Sequence, residues 1–423
     1  MTRQESPWDE LRRLIDAGDV PGTVAAVTAL DAAGRRLVAR ELPGHVQVAR
    51  AHAAEVAAAR RAHREQERRL ASTFPRPWDH EHEIDDHPEW AEPMRIAGAG
   101  VLSPAAAAAW ITRRDFDLWD LDGYPLFADH GPLLDVIAAR PPEWQADVAV
   151  RLALRIRPPR PRERGSDRTL PLVLALLRAT GVTPPDHDPL VVAYVSRDAL
   201  LSSLRGDPLL PGLLPRLFTA QGVGLALRHQ QHGPLSWLTA LHTLAREGVI
   251  SRDLLLDGCR RRFLLGGDAI ELRFFTRLHE SLAPTEAEIA AHATTYLRLL
   301  PTAPGPVAEL ALTHLRRLPA LDPADLAEAL EALLFRRETG LVRAGLSWLA
   351  AVLRASPALA DTLTPALTPT FGHPTRSVQE RAVRLLLRHA ARLTPATAAT
   401  LRQAATPLDD DLHTHLTTTL TRA

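Results

Sequence analysis

Apolar and polar positions in the second half of the chain recur as one phrase at a nearly fixed interval. Ile270, Val307, Val342 and Val378 each open an amphipathic run, at intervals of 37, 35 and 36 residues. The last copy, HPTRSVQERAVRLLLRHAARL, runs from His373 to Leu393. Its Val378, Ala382, Leu385 and Leu386 fall at i, i+4, i+7 and i+8, which lays one apolar stripe along a helix. Gln379, Glu380, Arg381, Arg384 and Arg388 lie mostly elsewhere on the wheel. The copies keep register. Ile270, Phe274 and Leu278 align with Val307, Ala311 and Leu315, then with Val342, Leu346 and Ala350, then with Val378, Ala382 and Leu386.

A second helical run precedes these stripes. Residues 251–264 precede Ile270. Thr285 with Glu288 reads as a capping box opening a helix to about Leu300, and Asp322-Pro323 puts a cap and a first-turn proline before ADLAEALEALLF. Ser377 with Glu380 reads as a capping box for the last copy. Prolines at 301–306, 319 and 357 interrupt the helices. The unit is therefore helix, turn, helix, short loop. One hairpin cannot bury its own apolar face, so neighbours must stack on it. Each Leu, Val or Phe buried this way contributes roughly 1.5–3 kcal/mol. The predicted fold class is all-α: an α-solenoid of helical hairpins with an N-terminal helical region.

The phrase SVQERAVRLLLRH is similar to the second helix of a HEAT repeat, where Val, Arg and Ala recur at these offsets. With GVISRDLLLDGCRRRF, ELRFFTRLHESLAPTEAEIAAHATTYLRLL and the N-terminal AGAGVLSPAAAAAWITRRDF, the chain also resembles a family of uncharacterised actinobacterial proteins of unknown function. The likeness covers most of the chain, and its motifs are packing motifs. It implies a HEAT-like fold and no particular chemistry. Many members of that family are longer, so the resemblance implies a short form.

The rest of the chain reads as helices with three irregular stretches. WDELRRLIDAG predicts a first helix ending at Gly18. Runs at 20–30 and 31–41 follow, Pro43-Gly44 predicts a break, and 46–70 is a long Ala-Arg-Glu helix with a solvated face. FPRPWDHEHEIDDHPEW, within 74–90, has no helical period and predicts a loop. Helix resumes over 93–110 with Ser103-Pro104 as a cap and first-turn proline, residues 113–127 are aromatic and acidic, and amphipathic runs occupy 132–139 and 144–156. RPPRPRERGSDRT, at 157–169, predicts a Pro/Arg-rich linker or a long loop. The expected organisation is therefore 1–156, the segment 157–169, and helical repeats over 170–423. Within the last, 170–180 and 190–204 read as helices, and 209–227 with 234–246 as a degenerate pair. The Thr-rich sequence beyond Thr394 predicts a polar closing hairpin.

Charge narrows function. Fifty basic residues balance fifty acidic ones, and every basic residue is Arg, with no Lys and no Asn in the chain. There is no net field to draw in nucleic acid or an anionic membrane. Schiff-base and Walker A chemistry are excluded for want of a lysine. Cys259 is the lone cysteine, which excludes an intrachain disulfide, and it reads as a packing thiol. No stretch reaches the roughly 20 apolar residues of a membrane span, and the polar N-terminus is no signal peptide, so a cytoplasmic protein is expected.

Candidate chemistry is sparse. His80, His82 and His87, amid Asp79, Glu81, Asp85 and Asp86, are donors that suit zinc or another divalent cation. His82 to His87 is H-E-x-x-x-H, one residue too long for a helical zincin pair, and a solvated acidic loop is the plainer reading. His229 and His232 sit in a turn, and His242, His279, His314 and His389 fall late on helices as ordinary structural histidines. Gly98-Ala99-Gly100 fails to complete G-x-G-x-x-G, because Ser103 takes the third glycine's place. Glu328 and Glu331 sit at ordinary surface spacing. Arg260-Arg261-Arg262 and the Arg-rich segment 157–168 are the local basic patches, capable of phosphate contact. Some HEAT-like solenoids are DNA glycosylases; no residue set here matches their catalytic pattern. No catalytic, cofactor-binding or metal residue is thus assigned, and no cofactor. The sequence points to a scaffold or adaptor for a protein partner, with a nucleic-acid-binding or repair solenoid as the alternative and a metal-dependent enzyme built on His80, His82 and His87 after that.

Overall fold

The structure, a computed structural model, describes residues 6–70, 88–116, 129–158, 167–319 and 321–422. His80, His82 and His87 lie outside the described residues, as does most of the 157–169 segment. The described residues form helices and no strands. They fall into two compact units, Met1–Arg197 with Gly206–Arg216, and Asp198–Arg205 with Leu217–Ala423.

The first unit is built on α1 (Pro7–Asp16), α2 (Val20–Ala29), α3 (Ala32–Leu70), α4 (Ala91–Val101), α5 (Pro104–Ile111), α6 (Gly131–Ala138), α7 (Pro142–Ala153), α8 (Leu170–Thr180) and α9 (Asp188–Val195). Its centre is α4, packed against α1, α2, α3, α5 and α6. Every residue of α4 except Glu92 is buried, which its small side chains permit. Gly98 and Gly100 are where neighbours come closest: a Cβ at Gly98 would overlap the Trp110 indole, and one at Gly100 would overlap Val27. These glycines therefore serve helix packing, consistent with the incomplete nucleotide fingerprint. α7 and α8 pack on each other on either side of residues 157–169. Arg178, Tyr194 and the Leu209 backbone N–H all donate to Asp207, which ties α8 and α9 to the segment after them.

Two sequence expectations fail between residues 31 and 205. The break at Pro43-Gly44 is absent, and α3 runs through as 39 residues with Pro43 inside it. A proline there removes one helical hydrogen bond. Val38, Leu42, Val46 and Ala49 nevertheless stay on one buried stripe across it, so packing outweighs the loss. The single helix expected over 190–204 is also broken: α9 stops at Val195 and a short α10 (Leu201–Arg205) follows, with the Ala199 N–H donating to Leu235 instead of back along a helix.

The second unit carries the repeat. The helix α11 (Leu210–Leu217) belongs, up to Arg216, to the first unit; in the second, α12 (Val223–Ala226) and α13 (Trp237–Arg246) come before the hairpins. They are α14 (Arg252–Leu265) with α15 (Ala269–Leu282), and the pair α16 (Glu286–Ala291) and α17 (Ala293–Leu299) with α18 (Gly305–Leu315). Then come α19 (Pro323–Leu334) with α20 (Thr339–Ala355), and α21 (Ala360–Leu363) with α22 (Arg376–His389). α23 (Pro395–Ala404) and α24 (Asp410–Arg422) close the chain as the expected hairpin. The second helices stack in order, α15 on α18, α18 on α20, α20 on α22 and α22 on α24. The stack is an α-solenoid arrangement of hairpins.

Side-chain bonds between successive rungs reproduce the period. They join residues 33–36 positions apart: Arg252 to Glu288, His314 to His279, Arg336 to Leu300 and Ala303, Arg343 to Ser377, Arg381 to Ser347, Arg376 to Asp409 and Asp411, and Thr394 to Asp361. Several of these arginines reach backbone carbonyls that a helix end leaves without partners, as Arg252 does at Leu282 and Ala283.

Local details again depart from the pattern. Val307, Val342 and Val378 are fully buried, but Ile270 is 45% exposed, because α15 opens the ladder with a capping box of Asp268 and Glu271 and turns inward only from Leu272. The Thr285–Glu288 capping box forms, yet the helix it opens is split at His292. The Ser377–Glu380 box does not form. Helix α22 begins at Arg376, Ser377 accepts from Arg343 of the preceding rung, and Glu380 pairs with Arg376.

Candidate functional site

The stacking of α15 on α18 helps gather four polar side chains. On α15, His279 falls two turns from Leu272 on the buried side; on α18, His314 falls beside Leu315 and Ala311. The preceding layer adds Tyr296 from α17 and Arg260 from α14. His279 Nε2 lies 2.9 Å from the Tyr296 hydroxyl, and His314 Nε2 lies 3.3 Å from His279 Nδ1. The three rings also pack on one another, with centroids 5.0–5.9 Å apart. His279 is wholly buried and His314 is 6% exposed.

The proton positions follow from charge. Burial, with the neighbouring His314 and the Arg260 and Arg252 guanidiniums adding to it, pulls His279 down to about 3. Burial and Arg317 pull His314 down to about 4. Both rings are neutral near pH 7. Burial raises the Tyr296 phenol, opposed by Arg260 beside its oxygen. Tyr296, His279 and His314 therefore form one buried chain of polar groups, with Arg260 beside its Tyr296 end.

His314 also borders a groove. Between α15 and α18 lies an open cavity of about 460 Å³, bordered by Arg273, Thr276, Arg277 and Glu280 of α15 and by Glu309, Thr313 and His314 of α18. Arg273, Arg277 and Glu280 follow at i, i+4 and i+7, so they share one face. Arg277 donates to the Gln230 carbonyl. Neither arginine forms an ion pair with Glu280 or Glu309 among the described residues, so both signs of charge are presented to solvent in one groove.

Other sequence candidates fare differently. Cys259 is buried, and burial pushes its thiol up, so it is an inert packing group as expected. The Arg260-Arg261-Arg262 patch is not a surface patch. Arg260 and Arg262 are both buried; the first is bonded to Asp257 and the second stacked over Phe275, leaving Arg261 exposed. Gln230, between His229 and His232, accepts from the Trp237 N–H with its side chain, and this turn role matches the sequence reading. No cluster of three metal-ligating side chains occurs among the described residues. The sequence reading treated His279 and His314 as separate structural histidines. Their separation of one repeat period on successive second helices was the signal that they meet.

No protein family matches the chain by sequence, and no curated protein matches it. Among solved structures, one described as a circular tandem repeat protein with novel repeat topology and enhanced subunit contact surfaces aligns with 98% of this chain and 93% of its own. The identity is 14% and the TM-score 0.23, too weak a superposition to carry any statement about this fold. The stacked arrangement rests on the packing of α14 to α24 alone.

Proposed function

We propose that this chain is a non-enzymatic, HEAT-like scaffold or adaptor of the cytoplasm that binds a protein partner along the second helices of its repeats. The observation that carries the reading is the α15–α18 groove, where Arg273, Arg277, Glu280 and Glu309 present both signs of charge side by side. A polypeptide offers both signs in return. A nucleic-acid backbone offers one, and two carboxylates in the groove oppose it. The burial of Arg260 and Arg262 removes the patch that best supported a nucleic-acid reading.

The test places a photo-crosslinking amino acid at Arg273, and at exposed Glu328 on α19 as the control. Native cytoplasm should yield a stoichiometric protein adduct from position 273 and none from 328. Duplex DNA added at low salt should neither bind nor reduce the adduct. An absent adduct, or DNA binding that falls steeply with salt, sinks the proposal.

A further inference from the structure

We propose that a second cavity, at the turns between the paired helices, where Arg262, Arg298 and Arg336 follow one another, receives a phosphate group carried on a side chain of the partner polypeptide. This rests on the protein-partner reading and adds a contact of stated chemistry outside the α15–α18 groove.

The repeat period gathers the three arginines. Arg262 in α14, Arg298 in α17 and Arg336 after α19 stand at intervals of 36 and 38 residues, one to each repeat. Arg298 and Arg336 line a cavity of about 380 Å³ with Gly266, Gly267, Thr302 and Glu338. Gly267 stands at φ +135°, and a Cβ there would lie 3.3 Å from Arg262 Nη2, so the glycine keeps the way to the third guanidinium open. The three charges are not balanced alike. Arg336 is matched, donating to the Leu300 and Ala303 carbonyls and to Glu338. Arg262 is 5% exposed and lies over Phe275, yet among the described residues it makes no hydrogen bond and has no carboxylate within 4.0 Å. Glu271, which also flanks Gly267, accepts from the Asp268 N–H in its own helix cap. Arg298 is exposed and equally unpaired among the described residues. A buried guanidinium without a matched anion is costly, and an unmatched group of this kind points to a missing ligand. Two unmatched guanidiniums call for two negative charges, and a phosphate monoester supplies them on oxygens that suit the forked donors of Arg.

The rim indicates what carries the phosphate. Leu264 lines the cavity, and Leu265 beside it and Phe335 beside Arg336 are exposed, Phe335 by 78%. Apolar side chains around a cationic cavity suit the residues that flank a phosphorylated side chain. Neither a free phosphate nor a nucleic-acid backbone makes use of them, and Glu338 at the wall opposes an extended polyanion. A water takes about 30 Å³ of liquid volume, so the cavity holds a phosphate group with the side chain that bears it.

The experiment uses the full chain in phosphate-free buffer and three fluorescein-labelled nonapeptides. They differ only at the central residue, which is phosphoserine, serine or glutamate followed by leucine. Fluorescence anisotropy should show the phosphoserine peptide binding roughly tenfold more tightly than the other two. Arg298→Ala, at an exposed position that leaves the fold intact, should reduce that preference several-fold. Arg262→Met should abolish it, while the melting temperature stays at or above that of the unchanged chain, because an unmatched buried charge is removed. Inorganic phosphate should compete far more weakly than unlabelled phosphoserine peptide, and duplex DNA should not compete. Equal binding of the three peptides overturns the proposal. A lower melting temperature of Arg262→Met with the preference intact also overturns it, by making Arg262 a packing group. Inorganic phosphate competing as well as the peptide overturns it by showing a free-anion site, and displacement by DNA does so by showing a nucleic-acid site. A protein crosslink at position 273 alongside equal peptide binding would leave the scaffold reading standing and remove this one.

Discussion

His314 Nε2 lies 3.3 Å from His279 Nδ1, and the two residues are 35 positions apart, one turn of the repeat. Both rings are held neutral by burial, at about 4 and about 3 against an ordinary value near 6.5.

The folded values lie below the unfolded ones, so the unfolded chain binds protons first as pH falls. The pair's contribution is constant above about pH 7. It declines as pH drops through 6.5 and levels off near 3 to 4. Each buried ring costs about 1.4 kcal/mol per pH unit within that window. Urea midpoints measured from pH 7.5 to 4.5 should therefore fall on the acid side, and His314→Gln should flatten the fall. A midpoint independent of pH below 6 would refute the neutral buried pair.

Arg336 joins two rungs. It donates to the Leu300 carbonyl at 2.7 Å and the Ala303 carbonyl at 2.9 Å, with its side chain almost wholly buried. Charge-assisted bonds of this kind contribute about 1.5–3 kcal/mol, and Arg336→Ala also leaves two carbonyls without a donor. The variant should lose about 3 kcal/mol in denaturant unfolding. Arg336→Lys should recover part of it, since an ammonium cannot span both acceptors in the same fork.

Gly98 lies against the Trp110 indole, whose N–H donates to the Met94 carbonyl. Gly98→Ala should force α4 and α5 apart and cost about 1–3 kcal/mol. Gly44, where a Cβ meets open space, supplies the contrast: Gly44→Ala inside α3 should stabilise by about 0.5–1 kcal/mol. Thermal melts of the two variants should move in opposite directions.

Cys259 should resist alkylation. Its side chain is buried and its thiol is pushed up, so little thiolate is exposed at neutral pH. Mass spectrometry after iodoacetamide should find it unmodified in the folded chain and fully modified in denaturant. Rapid labelling of folded protein would place it at an accessible site instead.

The fold class was legible in the chain because the repeat is written in residues that bury themselves. Val307, Val342 and Val378 keep one stripe at one interval, and a stripe of that period forms a stacked helix whatever else surrounds it. Caps were legible where the side chain acts on its own helix, as at Thr285 and Asp322. They misled where a neighbour intervened: Ser377 answers to Arg343 across the rung. Pro43 misled for a related reason, since the stripe from Val38 to Ala49 holds α3 together across it.

The groove and the buried polar chain belong to the tertiary structure. Nothing local to Tyr296, His279 or His314 distinguishes them from ordinary helical residues. Only the stacking of α15 on α18 brings the two histidines to 3.3 Å, and only the layer behind sets Arg260 beside Tyr296. Sequence periodicity determines which residues are buried, because burial depends on a residue's own helix face. It leaves open which buried polar groups meet, because that depends on the sub-ångström register between two helices that are far apart in the chain.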